Sequence, residues 1–86
     1  MTETREIRLR RLTMRSMRRG IREMDILLMR YVKARLDTLS DAELDVYDAL
    51  LEENDQDLYQ WVSGQVAPPA RYGALIEDIA SAPGEL

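Results

Sequence analysis

The chain has 86 residues, about 10 kDa, which is room for one domain and not for a second. It contains neither cysteine nor histidine, which excludes a disulfide framework, a thiolate zinc site, a cysteine nucleophile and an imidazole general base. Its net charge of −4 hides a division, because residues 1–36 carry +7 and residues 37–86 carry −11. Such polarity predicts either a basic arm for nucleic acid or membrane, or two halves that attract each other. Screening over about 8 Å leaves packed neighbours coupled, which favours attraction within the fold.

The first predicted helix spans about Arg5 to Arg18, with Leu9, Leu12 and Ser16 on one side and Arg8, Arg11, Arg15, Arg18 and Arg22 recurring on another. It ends near Gly20. The second, about Ile21 to Leu36, keeps the i, i+3, i+4 rhythm in Met24, Leu27, Leu28, Tyr31, Val32 and Arg35. Ser40 and Glu43 have capping-box spacing and open a third, about Asp41 to Glu52, with Leu44, Tyr47, Leu50 and Leu51 inward. Asn54 or Asp55 caps a fourth, about Gln56 to Ser63, which stops at Gly64. Pro68 and Pro69 open a fifth, about Ala70 to Ala80. No strand pattern or repeat interrupts them. The expected fold is an all-α, single-domain five-helix bundle over 1–86, with a core from about 5 to 80 and a flexible tail at 81–86 that includes Pro83 and Gly84.

The longest apolar runs, Ile26 to Met29 and Ala49 to Leu51, fall far short of the roughly 20 residues that span a bilayer. A soluble chain without membrane insertion is expected. Its Arg-rich start has something of a mitochondrial presequence, but Glu3 and Glu6 oppose that reading and nothing would remain to discard.

Arg18, Arg19, Gly20, Ile21, Arg22 and Glu23 form the densest functional suggestion, a glycine interrupting a charged surface between two helices. In one reading Gly20 supplies a positive φ at a corner, while Arg19 and Glu23 pair across it. In the other, the missing Cβ admits a partner's backbone and the flanking charges bond to it, with Arg15, Arg18, Arg22 and Asp25 extending the surface. The sequence leaves both open.

Arg-Gly-x-x-Glu fixes only three positions. Here it belongs to a longer text, Arg18-Arg19-Gly20-Ile21-Arg22-Glu23-Met24-Asp25, then Leu39-Ser40-Asp41-x-Glu43, then Tyr47-x-x-Leu50-Leu51-Glu52-x-x-Asp55-x-Asp57-Leu58-Tyr59-x-Trp61. From about Arg8 to Ile79 the chain resembles the succinate dehydrogenase assembly factor family, called SdhE in bacteria, small five-helix proteins with an Arg-Gly-x-x-Glu signature. The resemblance implies an assembly factor, not an enzyme. It would bind the flavoprotein subunit of succinate dehydrogenase, and in some bacteria of fumarate reductase, and promote covalent attachment of FAD. It implies client contacts at Arg19, Gly20 and Glu23, and a bacterial, cytoplasmic setting. In the family's reaction a client histidine attacks the 8α carbon of the flavin, after the ring rearranges to a quinone methide. This chain has no histidine and no G-x-G-x-x-G fingerprint, so the reactive parts, FAD included, are expected to belong to the client. Family members often carry Phe where this chain has Tyr31, Tyr47 and Tyr59, and each phenol then needs a partner or water.

Other signals rank lower. The arginine stripe could trace phosphates, but the pI near 4.8 opposes nucleic-acid binding. Asp45, Asp48, Glu52, Glu53, Asp55 and Asp57 do not follow calcium-loop spacing and read as a solvated face and cap. Trp61 with Leu58 and Val62 reads as core, and Met14, Met17, Met24 and Met29 lie near the corner. A regulatory, antitoxin-like interaction module is the alternative function, distinguished by the partner it would capture.

Overall fold

In a computed structural model describing residues 3–83, five α-helices follow one another. They are α1 (Arg5–Arg15), α2 (Arg22–Arg35), α3 (Asp41–Leu50), α4 (Asp55–Val62) and α5 (Gly73–Ser81), with 3-10 turns at Leu36–Thr38 and Ala70–Tyr72. There is no strand among the described residues, and the all-α bundle is the one expected.

Side chains at the starts of α1, α3 and α4 accept from amides that have no intrahelical partner. Thr4 Oγ1 accepts from the Ile7 amide, and Asn54 Oδ1 from that of Gln56. At α3 the expected capping box is complete: Glu43 N–H donates to Ser40 Oγ at 3.1 Å and Ser40 N–H to Glu43 Oε1 at 2.9 Å. The Ser40 amide holds the Glu43 carboxyl below its usual range. Gly64, at φ +83°, lets the amides of Gln65 and Val66 fold back onto the Gln60 carbonyl and close α4.

Several ends differ from expectation, α3 stopping at Leu50 and not Glu52, and α5 starting at Gly73 after the 3-10 turn and not at Ala70. α1 stops at Arg15 and not at Arg18, because Ser16 turns its hydroxyl onto the Leu12 carbonyl and Arg18 takes a left-handed φ of +55°. Ser81 still belongs to α5 and Ala82 is buried, so the ordered helix reaches into the expected tail; residues 84–86, Gly84 among them, lie outside the described residues.

The core gathers Leu12, Met24, Leu28, Tyr31, Leu44, Tyr47, Leu58 and Ile79 around a Tyr31–Tyr47 ring pair with centroids 5.6 Å apart. The phenols at Tyr31 and Tyr47 do find partners. Tyr47 Oη lies 2.6 Å from buried Ser16 Oγ, and Tyr31 donates to Asp78 Oδ2 at 2.9 Å. Burial pushes the Tyr47 phenol up to about 12, and burial followed by the bond to Asp78 raises that of Tyr31. Leu58 is core as expected, whereas Trp61 and Val62 are half-buried, Trp61 packing on Tyr72 with ring centroids 5.8 Å apart.

Charge attraction between the two halves is realised as a ladder. Arg5 pairs with Asp41, Arg8 with Asp45, Arg11 with Asp48, and Arg15 with both Asp48 and Glu52. The near-constant sequence offset of 36 or 37 along the main rungs sets α1 and α3 side by side and parallel. The acidic face of α3 is therefore not simply solvated, and the arginine stripe is largely engaged within the fold. Leu12 is the one fully buried hydrophobic residue of α1, Leu9 packs partly buried beside the core, and the ion pairs add to that attachment.

Bonds from Arg11 hold the Asp48 carboxyl below its usual range. A depressed folded value contributes stability that is present above the unfolded value of about 3.9 and is lost as pH falls through the folded one. Asp48→Asn is expected to cost about 1 to 2 kcal/mol at neutral pH and to flatten the loss of stability below about pH 4. Urea titrations from pH 7 to pH 3 measure this, and an unchanged acid slope would refute it.

Candidate partner-docking corner

Between α1 and α2 the chain makes a corner whose geometry is set by one carboxylate from a third helix. Arg19 Nε donates to Asp55 Oδ1 at 2.7 Å, and the Gly20 amide donates to Asp55 Oδ2 at 2.6 Å. The rest of the guanidinium is taken by backbone: Nη1 donates to the Arg15 carbonyl at 3.1 Å and Nη2 to the Leu51 carbonyl at 3.2 Å. Side-chain exposure is 12% for Arg19 and 18% for Asp55, so screening by water is limited. Asp55 opens α4, where the helix dipole also favours its charge.

The glycine is explained by this clasp. Its φ is not positive; that conformation falls on Arg18. A Cβ at position 20 would lie 3.0 Å from Asp55 Oδ2, so the carboxylate would have to give by a few tenths of an ångström. The close approach that glycine permits is made within the chain by Asp55, an approach that neither reading of the sequence included, while Gly20 itself stays exposed.

The residues expected to contact a partner separate into two sets. Arg15 is turned into the α1–α3 ladder, and Arg19 is bound to Asp55 in place of the expected alternative, Glu23. Arg18, Gly20, Arg22 and Glu23 are exposed, and the three charged side chains have no ion pair or hydrogen bond among the described residues. Asp25 is half-buried, with an Oδ1 that is covered and without a hydrogen-bond partner among the described residues. Met14 and Met17 bring exposed thioethers to the approach, at 67% and 42% exposure, whereas Met24 is core. Glu23 also stands on a groove of about 340 Å³ lined by Ile26, Leu27, Arg30, Tyr59 and Val62. The sequence alone assigns Asp55 no more than a place in the acidic face and cap. A usable signal was its offset of 36 from Arg19, which continues the α1–α3 ladder by one rung.

A family model described as flavinator of succinate dehydrogenase matches residues 10–82. The chain belongs to that family. Among curated relatives, succinate dehydrogenase assembly factor 2, mitochondrial, of Meyerozyma guilliermondii is 52% identical over 61 residues, 71% of this chain and 45% of the relative. The protein of the same name from Scheffersomyces stipitis is 49% identical over 61 residues, 71% of this chain and 41% of the relative. That of Mycosarcoma maydis is 41% identical over 71 residues, 83% of this chain and 30% of the relative. The chain therefore spans less than half the length of these family members.

These relatives are named as mitochondrial proteins of fungi, which overturns the expected bacterial cytoplasmic setting. Glu3, one of the two acidic residues read as opposing a presequence, is an ion-pair partner of Arg11 in the folded structure. No described helix is long and apolar enough to cross a membrane.

Arg19→Ala would leave a poorly exposed carboxylate without its cation. A loss of about 2 to 4 kcal/mol is expected, against changes within about 0.5 kcal/mol for Arg18→Ala or Arg22→Ala. Gly20→Arg is expected to lower the melting temperature as well, by less than Arg19→Ala, because its Cβ crowds the Asp55 carboxylate. Thermal melts of the four variants decide this, and an Arg19→Ala melt matching the parent would show the clasp to be ornamental.

Proposed function

We propose that this domain binds the flavoprotein subunit of succinate dehydrogenase at the α1–α2 corner and promotes covalent attachment of FAD to that subunit. What supports the reading, beyond membership of the family, is a single arrangement. Arg18, Arg22 and Glu23 flank Gly20 without internal partners among the described residues, on a corner that the Arg19–Asp55 clasp holds in one shape. A backbone held in one shape loses less conformational freedom on binding than a mobile one.

The domain acts without catalysing. With no histidine it has no group equivalent to the one that attacks the flavin in the family's reaction, and FAD stays with the client. Its contribution is to favour the client conformation in which that histidine and the ring are aligned. A client state populated at about 1% must be favoured by about 2.7 kcal/mol to become half-populated. Two or three charge-assisted bonds, each worth about 1.5 to 3 kcal/mol before ordering costs, are of that size.

With purified apo-flavoprotein and FAD, Glu23→Ala is expected to lower client-linked flavin fluorescence on a denaturing gel by about tenfold, while its own melting temperature stays within a few degrees of the parent. The double variant Arg18→Ala, Arg22→Ala should behave alike. Flavinylation at the parent level in both would overturn the proposal.

A further inference from the structure

The groove beside Glu23 is continuous with the corner but chemically different from it. Glu23, Ile26, Leu27 and Arg30 stand at i, i+3, i+4 and i+7 on one face of α2, opposite Tyr59 and Val62 of α4 and its C-cap Ser63, and Ala80 of α5 also lines the groove. Ile26, Leu27, Tyr59 and Val62 are only half-buried, each leaving part of its surface to the groove. At about 340 Å³ the space lies at the small end of ligand pockets, suited to one or two side chains.

Its charges are not balanced. Arg30 donates through Nη2 to the carbonyls of Ile79 and Ala80, both at 3.2 Å, so its cation is turned onto the end of α5. Glu23 has no such partner among the described residues and is the free charge at the rim. An occupant that was purely apolar would strip water from this carboxylate without replacing it, and an anionic one would be repelled.

We infer that this groove is a second docking site for the flavoprotein, and that it takes an apolar side chain lying beside a lysine or arginine. The site rests on the function proposed above. It divides the grip on the client into a polar contact at the corner and an apolar anchor next to it, the arrangement in which a few buried contacts dominate binding.

The absence of cysteine makes the test direct. Ser63→Cys, at the exposed end of α4, is labelled with a photocrosslinking maleimide, and Ala42→Cys on α3 is the control. Illumination with purified flavoprotein is expected to join the flavoprotein to position 63 and not to 42, through a peptide with an apolar residue beside a basic one. Ser63→Trp, which fills the groove from an exposed position, should weaken binding by about tenfold with an unchanged melt, and Val62→Arg should do so from within. Met17 and Arg18 of a second copy offer the same chemistry, so a crosslinked homodimer would overturn the assignment, as would equal crosslinking from 42. Parent-level affinity in Ser63→Trp alongside weakened binding in Glu23→Ala would remove the groove and keep the corner. A native domain that does not bind the flavoprotein at all would remove both.

Discussion

Asp55 carries two neighbouring donors on a single carboxylate, the Arg19 guanidinium and the Gly20 amide, and by doing so fixes how the first two helices meet the fourth. Neither bond would be as favourable alone. The guanidinium is mostly removed from water and requires an anion. The anion, at the start of α4, gains from the helix dipole but has only limited contact with solvent. The Gly20 amide is the second donor, and without a Cβ it approaches the carboxylate with nothing to displace. Position 20 is constrained by contact within the chain, whatever approaches from outside.

The clasp also marks where the ladder between α1 and α3 ends. Along the ladder each arginine meets an aspartate or glutamate, so a helix that would otherwise present a strongly basic face contributes little net field. Past the last rung, Arg18 and Arg22 have no acid opposite them among the described residues, and Glu23 has no base. The charges proposed to meet a partner are a remainder, those left when α1 and α3 have satisfied each other. A surface so made is local and of mixed sign, better suited to a shaped protein partner than to a uniform polyanion.

Much of the fold was legible because it is local. The i, i+3, i+4 rhythm, the Ser40–Glu43 box and the Gly64 cap join residues three to six apart, and each appears where the pattern placed it. The charge asymmetry correctly foretold attraction within the chain. What the sequence did not reveal depends on register between distant segments. Nothing near Arg19 says that its acid is 36 residues away and not at Glu23, and nothing near Gly20 distinguishes a glycine needed for φ from one needed for an oxygen at 3.0 Å. The end of α1 was missed for a related reason, since Ser16 looks like a tolerable helix interior until Tyr47 is placed against it.

The Arg-Gly-x-x-Glu signature therefore contains two kinds of residue. Arg19 and Gly20 build the corner, and Glu23 projects from it. A variant at either of the first two changes both the population of the folded corner and any contact made by it, so a loss of function there does not by itself locate a binding surface. Only residues whose removal leaves the clasp intact can do that. In this chain they are Arg18, Arg22 and Glu23, whose exposure makes them cheap to alter. The same logic runs in reverse for Asp55. Its carboxylate is spent on Arg19 and Gly20 and is not offered to a partner. Yet a client that requires the corner in one shape would sense its loss as strongly as the loss of a direct contact, because rigidity and complementarity contribute to the same free energy of association.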